Sequence, residues 1–316
     1  MGGAPTPVRR DQLLANDGEL IRRLASHLEA LEGERHPVRS PAALEAALEY
    51  AAERLRESCG SDGVEDHLFT FGGREHRNVV ARLPGDSTRP RILVGAHADT
   101  VPGTPGADDN ASGVAVLLEM VREVASGWET GLAGRPMVEF AVFNLEERQG
   151  WTYRVGSRRL ARDREKAGVR YQAALILEMV GFATQREESQ RIPLPLRALD
   201  LPRTGNFLAA VGDGGSRALL ANFRRAAEAA APQLPLVTVT SPLQGWLIWN
   251  TRRSDHASFW DRGWPALLLT DTSFLRNPHY HRSSDTVETL DFPFMAKVVR
   301  GVAAAVKVLA APGGST

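Results

Sequence analysis

Cysteine is almost missing from this chain: one residue in 316, Cys59, so no intramolecular disulfide can support the fold. An excess of charge of one sign is missing too. Lys and Arg total 38 and Asp and Glu total 38, which excludes the basic surplus that general nucleic-acid and anionic-membrane binders carry. No stretch of about 18 apolar residues is present to span a bilayer, and residues 1–7 lack the apolar stretch of a secretory leader. These absences predict a cytoplasmic protein with no nucleic-acid or membrane partner. A secreted or periplasmic chain already trimmed of its leader would read the same way.

What is present is a core-forming composition, 43% hydrophobic and 24% charged, at a length that suits one large α/β domain or two small ones. Apolar residues at Leu20, Ile21, Leu24, Leu28 and Leu31 recur at helical spacing. Ser40-Pro41 opens a second helix, and a hairpin turning at Gly72-Gly73 follows. From residue 91 onward, short apolar runs alternate with helical segments. Strands are expected at 91–97, 137–144, 173–178, 234–240 and 265–270, and helices at 112–126, 157–167, 216–231 and 293–309. Such alternation predicts a mostly parallel sheet covered on both faces. Residues 1–34 are assigned to an N-terminal helical segment and 35–316 to a single catalytic domain, with residues 183–205, rich in Pro, Arg and Glu, as a surface excursion near the site.

Groups able to bind a metal fall at the carboxyl ends of the predicted strands, where open α/β sheets bind ligands. The first strand ends in His97-Ala-Asp99, where Asp99 is placed to orient the imidazole of His97. Pro-Gly-Ala-Asp108-Asp109-Asn-Ala-Ser-Gly then opens a helix, with Asp108 as a candidate bridging carboxylate. The second strand ends in Glu146-Glu147, of which one suits a metal and the other a general base. The third ends in Glu178. Later come Ser254-Asp255-His256 and Asn277-Pro-His279-Tyr-His281. One of His279 or His281 is a candidate ligand, and His256 reads as packing or substrate contact. Two histidines with three carboxylates suit zinc better than an all-oxygen Mg²⁺ site. Trp246, Trp249 and Phe274 are candidates for pocket wall or core.

These motifs make the sequence similar to the M28 family of metallo-aminopeptidases over residues 35–309, and the string around Asp108 separates it from the related M20 peptidases. The resemblance implies a three-layer α/β/α fold of the zinc-exopeptidase type, with a mostly parallel, mixed central sheet. It implies two zinc ions, or one as in some glutaminyl cyclases of the same fold. His97 and Glu178 would hold the first ion and Glu147 and His281 the second, with Asp108 bridging and Glu146 as general base. Glu178 stands where many members carry Asp. A cis peptide is implied after the bridging residue, at Asp108–Asp109. The expected reaction is removal of N-terminal residues from a peptide or aminoacyl substrate. A glutaminyl-cyclase-like acyl transfer, or a binding protein that has lost catalysis, are the alternatives.

Overall fold

The computed structural model describes residues 10–128, 133–197 and 200–312. Eight strands form one sheet: β1 (Val64–Phe71), β2 (Arg74–Leu83), β3 (Arg91–His97), β4 (Val138–Phe143), β5 (Tyr171–Glu178), β6 (Leu208–Asp213), β7 (Leu236–Ser241) and β8 (Ala266–Thr270). Their order is β1-β2-β4-β3-β5-β8-β6-β7. The four in the middle, β4, β3, β5 and β8, run parallel. β2 joins one side antiparallel to β4, and β6 joins the other antiparallel to β8.

Alternation within the strands explains the layers. In β3, Ile92, Val94 and Ala96 face one core while Leu93 faces the other; in β5, Ala173, Leu175 and Leu177 oppose Ala174 and Ile176. A strand apolar on both faces needs cover on both. One cover consists of α1 (Arg10–Leu31), α2 (Pro41–Cys59), α3 (Gly113–Ala125), α5 (Arg217–Ala230) and α7 (Phe292–Leu309). The opposite cover is α4 (Val155–Lys166) and the short α6 (Ala257–Trp260). The architecture is a three-layer α/β/α fold on a mixed sheet. Leu20, Leu24, Leu28 and Leu31 of α1 belong to the same core as α3 and α7, so the N-terminal helical segment packs into the body of the domain.

One strand was not anticipated. β6, Leu-Ala-Ala-Val-Gly-Asp, is built mainly of small residues with little β preference and is followed by Gly214-Gly215. Its two neighbours, β7 and β8, fix it in the sheet. The 183–205 excursion is closed on itself by main-chain bonds from Thr184 to Gly205 and Gln190 to Arg203, and tied to the body by one from Arg191 to Leu275, each 2.9 Å. Among the described residues no helix is long and apolar enough to cross a membrane.

Candidate metal centre and its walls

The carboxyl ends of β3, β4, β5 and β8 converge on one cleft. His97 closes β3 and Glu178 closes β5; Glu146 and Glu147 follow β4, and His281 comes from the loop after β8. Leu145, Met179 and His281 all have left-handed backbone, at φ +57°, +51° and +57°. For side-chain-bearing residues this costs on the order of 1 kcal/mol each, and such positions cluster where function fixes the geometry.

Two triads result. His97 Nε2 lies 3.4 Å from Asp109 Oδ1 and 3.3 Å from Glu178 Oε1. His281 Nε2 lies 3.1 Å from Asp109 Oδ2 and 3.3 Å from Glu147 Oε1. The donor atoms of each triad lie within 4.8 Å of one another. Asp109 thus serves both groups, one oxygen to each. Its Oδ1 is buried and accepts no hydrogen bond.

The shared carboxylate belongs to Asp109, which corrects the expectation for Asp108. Asp108 points the other way: its Oδ1 accepts from Gly181 N at 2.9 Å and its Oδ2 from Asn277 Nδ2 at 2.6 Å. Nearby, burial and the Asp108 charge push the Asp271 carboxyl well above the usual carboxylate range. The cis peptide likewise falls one residue later than expected, at Asp109–Asn110. Spacing could not separate the two aspartates, because the turn departs from helical geometry at Asp109 and Asn110.

The rest of that string holds the turn in place. Asn110 Oδ1 accepts from Gly113 N and Met179 N, and its Nδ2 donates to Leu177 O. Ser112 Oγ donates to Asp108 O and accepts from Val180 N. Asp285 accepts from the main-chain N–H groups of both Asp108 and Asp109. Gly106 at φ +64° admits no side chain, since a Cβ there would meet Thr100 Cγ2 at 2.4 Å. Buried Arg35, a residue with no motif around it, donates to the carbonyls of Ala98, Gly33, Pro105 and Gly106 and fixes the loop between β3 and this turn.

Asp99 acts in more than the expected way. Its main-chain carbonyl, 3.1 Å from His97 Nδ1, orients the imidazole. Its carboxylate accepts from Glu146 N and Glu147 N at 2.9 and 3.0 Å, so it positions both glutamates. Ser254 Oγ donates to Glu178 Oε2 at 2.6 Å. His256 is not a ligand; it is buried against Trp260 with its Nε2 2.7 Å from Thr251 O, and burial drives its pKa down to about 3. His279 Nδ1 pairs with Ser284 Oγ and joins neither triad.

The electrostatics ask for cations. Burial pushes Glu147 up to about 7, with Asp109 adding, and pushes Asp255 up to about 7. Burial likewise raises Glu146 well above its usual range; His97 opposes this, while Glu178, Asp255 and Glu147 add to it. Burial alone would lower His281, yet Asp109 and Glu147 lift it to about 10. Two histidines cannot balance so many carboxylates, whereas divalent ions between the donor atoms would. The imidazole and carboxylate donors fit such ions.

Beside the cleft lies a second, apolar cavity of about 130 Å³, walled by Phe207, Val211, Val239, Ile248, Leu268 and Phe274. Part of its wall comes from the 183–205 excursion, through Ile192, Pro193, Leu196 and Leu201. Glu178, Arg253 and Tyr280 line both spaces. Phe274 is thus a pocket wall. Trp246 is exposed and lines neither space, with the Arg252 guanidinium 4.3 Å from its ring centre. The side chain of Trp249 lies outside the described residues.

The model of peptidase family M28 matches residues 78–306. This chain belongs to peptidase family M28. Among relatives of this M28 member, it is 33% identical over 270 residues to the uncharacterized protein YfbL of Escherichia coli K12, covering 81% of this chain and 78% of that one. It is 28% identical over 261 residues to leucine aminopeptidase 1 of Grosmannia clavigera, covering 78% of this chain but 57% of that longer protein. Among solved structures, Legionella LapA superposes with a TM-score of 0.70 at 20% identity, over 98% of this chain and 79% of that one. An Acidobacteriales bacterium glutaminyl cyclase gives 0.70 at 18% identity over 98% of both chains. The M28 assignment makes this chain a peptidase-type hydrolase, and the fold is the one shared by aminopeptidases and glutaminyl cyclases.

Proposed function

We propose that this chain is a metal-dependent aminopeptidase that holds two zinc ions, removes apolar N-terminal residues from peptides and uses Glu146 as its general base. The observation that carries this reading is Asp109, a buried carboxylate with one oxygen facing His97 and Glu178 and the other facing His281 and Glu147. Divalent ions held by these residues would supply Lewis-acid polarisation and water with a pKa near ~7. Glu146 is not a member of either triad and lines the cleft together with members of both. Its carboxylate accepts a proton from the attacking water and delivers it to the nitrogen of the leaving amine. Its raised affinity for protons suits both halves of that exchange. Apolar walls on the neighbouring cavity favour an uncharged aliphatic side chain on the N-terminal residue, since a charged one would be desolvated without a partner.

The test is elemental analysis together with Leu-p-nitroanilide hydrolysis and mass spectrometry of a Gln-initiated peptide. Two zinc ions per chain and chelator-sensitive release of nitroaniline are expected. Loss of ammonia from the Gln peptide at unchanged residue count, with no nitroaniline released, would replace hydrolysis by cyclisation.

A further inference from the structure

The rim between the two spaces carries a cation whose charge is not neutralised. Arg253 is exposed there, and its guanidinium contacts are the Tyr280 hydroxyl, 3.3 Å from Nη2, and the Phe274 ring, whose centre lies 5.0 Å from Cζ. Both partners are uncharged, and among the described residues no carboxylate pairs with it. Its chain neighbour Arg252 shows the contrast: it is buried, donating to Gln244 O and paired with Asp261. Arg148, the other arginine along the cleft, is folded onto its own loop, with Nε donating to Gly150 O and its guanidinium over Trp151.

The aromatic props fix where Arg253 can reach. Phe274 and Tyr280 lie 5.8 Å apart, and Tyr280 stacks on the His281 ring at 3.8 Å, so the guanidinium stands one aromatic ring away from a metal-ligand candidate. A planar guanidinium held over a ring loses little freedom on binding and matches a carboxylate with two parallel hydrogen bonds. Deep in the cavity, Val211, Val239 and Leu268 offer an anion no partner, so a carboxylate paired with Arg253 sits at the rim that the cavity and the cleft share. On its cleft side, that rim meets the part of the substrate beyond an N-terminal side chain seated in the cavity.

We propose that Arg253 selects substrates that carry a carboxylate on the residue after the scissile bond. That carboxylate is either the free C-terminus of a dipeptide or an acidic side chain at that position. The proposal rests on the aminopeptidase reading and sharpens it: without Arg253 a cleft lined by Glu146, Glu147 and Glu178 would repel such a group.

The experiment compares kcat/KM on Leu-Ala, Leu-Ala-amide and Leu-Asp-amide for the zinc-loaded wild type, Arg253→Met and Arg253→Lys. One charge-assisted pair at a rim predicts a preference of about 10-fold for the carboxylate-bearing substrate over Leu-Ala-amide. The ratio should fall to 1 or below in Arg253→Met and lie between in Arg253→Lys, which keeps the charge but not the fork. Preference for Leu-Ala alone assigns the C-terminal carboxylate; preference for Leu-Asp-amide alone assigns the side chain. Equal rates on all three in the wild type, or a ratio that survives in Arg253→Met, overturn the proposal. The same selectivity is read by calorimetry with the uncleavable reduced-bond analogues of Leu-Ala and its amide. Unequal affinities without turnover would overturn the aminopeptidase reading alone, and equal affinities would overturn the role of Arg253.

Discussion

The acidic cleft and the apolar cavity beside it are built in opposite ways. In the cleft, each reactive side chain leaves the end of a parallel strand or the turn after it and is anchored by a neighbour: His97 and both glutamates by Asp99, Glu178 by Ser254, and the Asp109 turn by Asp285. In the cavity, β6, β7 and β8 give two wall residues each, and the 183–205 excursion and the loops around Ile248 and Phe274 give most of the rest. The antiparallel strand β6 marks the change, since the sheet loses its common direction there. The difference places fixed chemistry where strand ends converge and adjustable selectivity where the sheet reverses.

The sharpest break in that picture is between two adjacent aspartates. Asp109→Asn removes an anionic oxygen from a carboxylate that both triads use, so metal content should fall to one ion per chain or fewer and hydrolysis to background. Asp108→Asn instead puts an amide where a carboxylate accepts from Gly181 and Asn277. It should keep both ions while losing on the order of 1–3 kcal/mol of stability. Elemental analysis and thermal melts of the two variants decide it, and a reversed pattern would return the bridge to Asp108. Next in size, Glu146→Gln should retain both ions and lower kcat by about 10²–10⁴-fold, the usual span of a general base. Near-normal kcat in that variant would rule out Glu146 as the proton carrier.

The same contrast explains what could be read in advance. The strand ends at His97 and Glu178 and the Glu146-Glu147 pair were legible because a reactive residue stops an apolar run, and runs of that kind become strands. His281, in a loop beside the equally suitable His279, was singled out only by the family resemblance. The choice of Asp109 over Asp108 was not legible. Spacing distinguishes faces only in regular backbone, and here the chain leaves helical geometry between them. Arg35 and Arg253 escaped for another reason: each acts through contacts distant in sequence, and an isolated arginine carries no pattern. β6 escaped because Ala and Gly pack well in a sheet without announcing it.

Filling the cavity tests the other half of the comparison. Val239→Phe would place a ring in a space of about 130 Å³, roughly the size that admits one benzene-like group. The kcat/KM for Leu-p-nitroanilide should drop by about 10–100-fold while that for Ala-p-nitroanilide changes far less, because pocket occupancy discriminates by side-chain size. Equal losses on both substrates would mean that the cavity does not receive the N-terminal side chain.

The smallest expected effect probes the anchoring itself. Ser254 Oγ donates to Glu178 Oε2 at 2.6 Å, which leaves Oε1 turned toward His97. Ser254→Ala removes the donor and keeps the glutamate, so Glu178 gains freedom to rotate away from its triad. Partners that orient a metal-binding side chain are worth about 10–100-fold in metal affinity. An effect near the lower end is expected, since Glu178 is the more solvent-accessible of the two carboxylates in its triad, at 13% against 3% for Asp109. Zinc titration against a competing chelator should show one of two sites weakened and the other unchanged, because His281 and Glu147 do not touch Ser254. Equal weakening of both sites would mean that Asp109 transmits the disturbance across the pair, and the two triads would then bind as one unit.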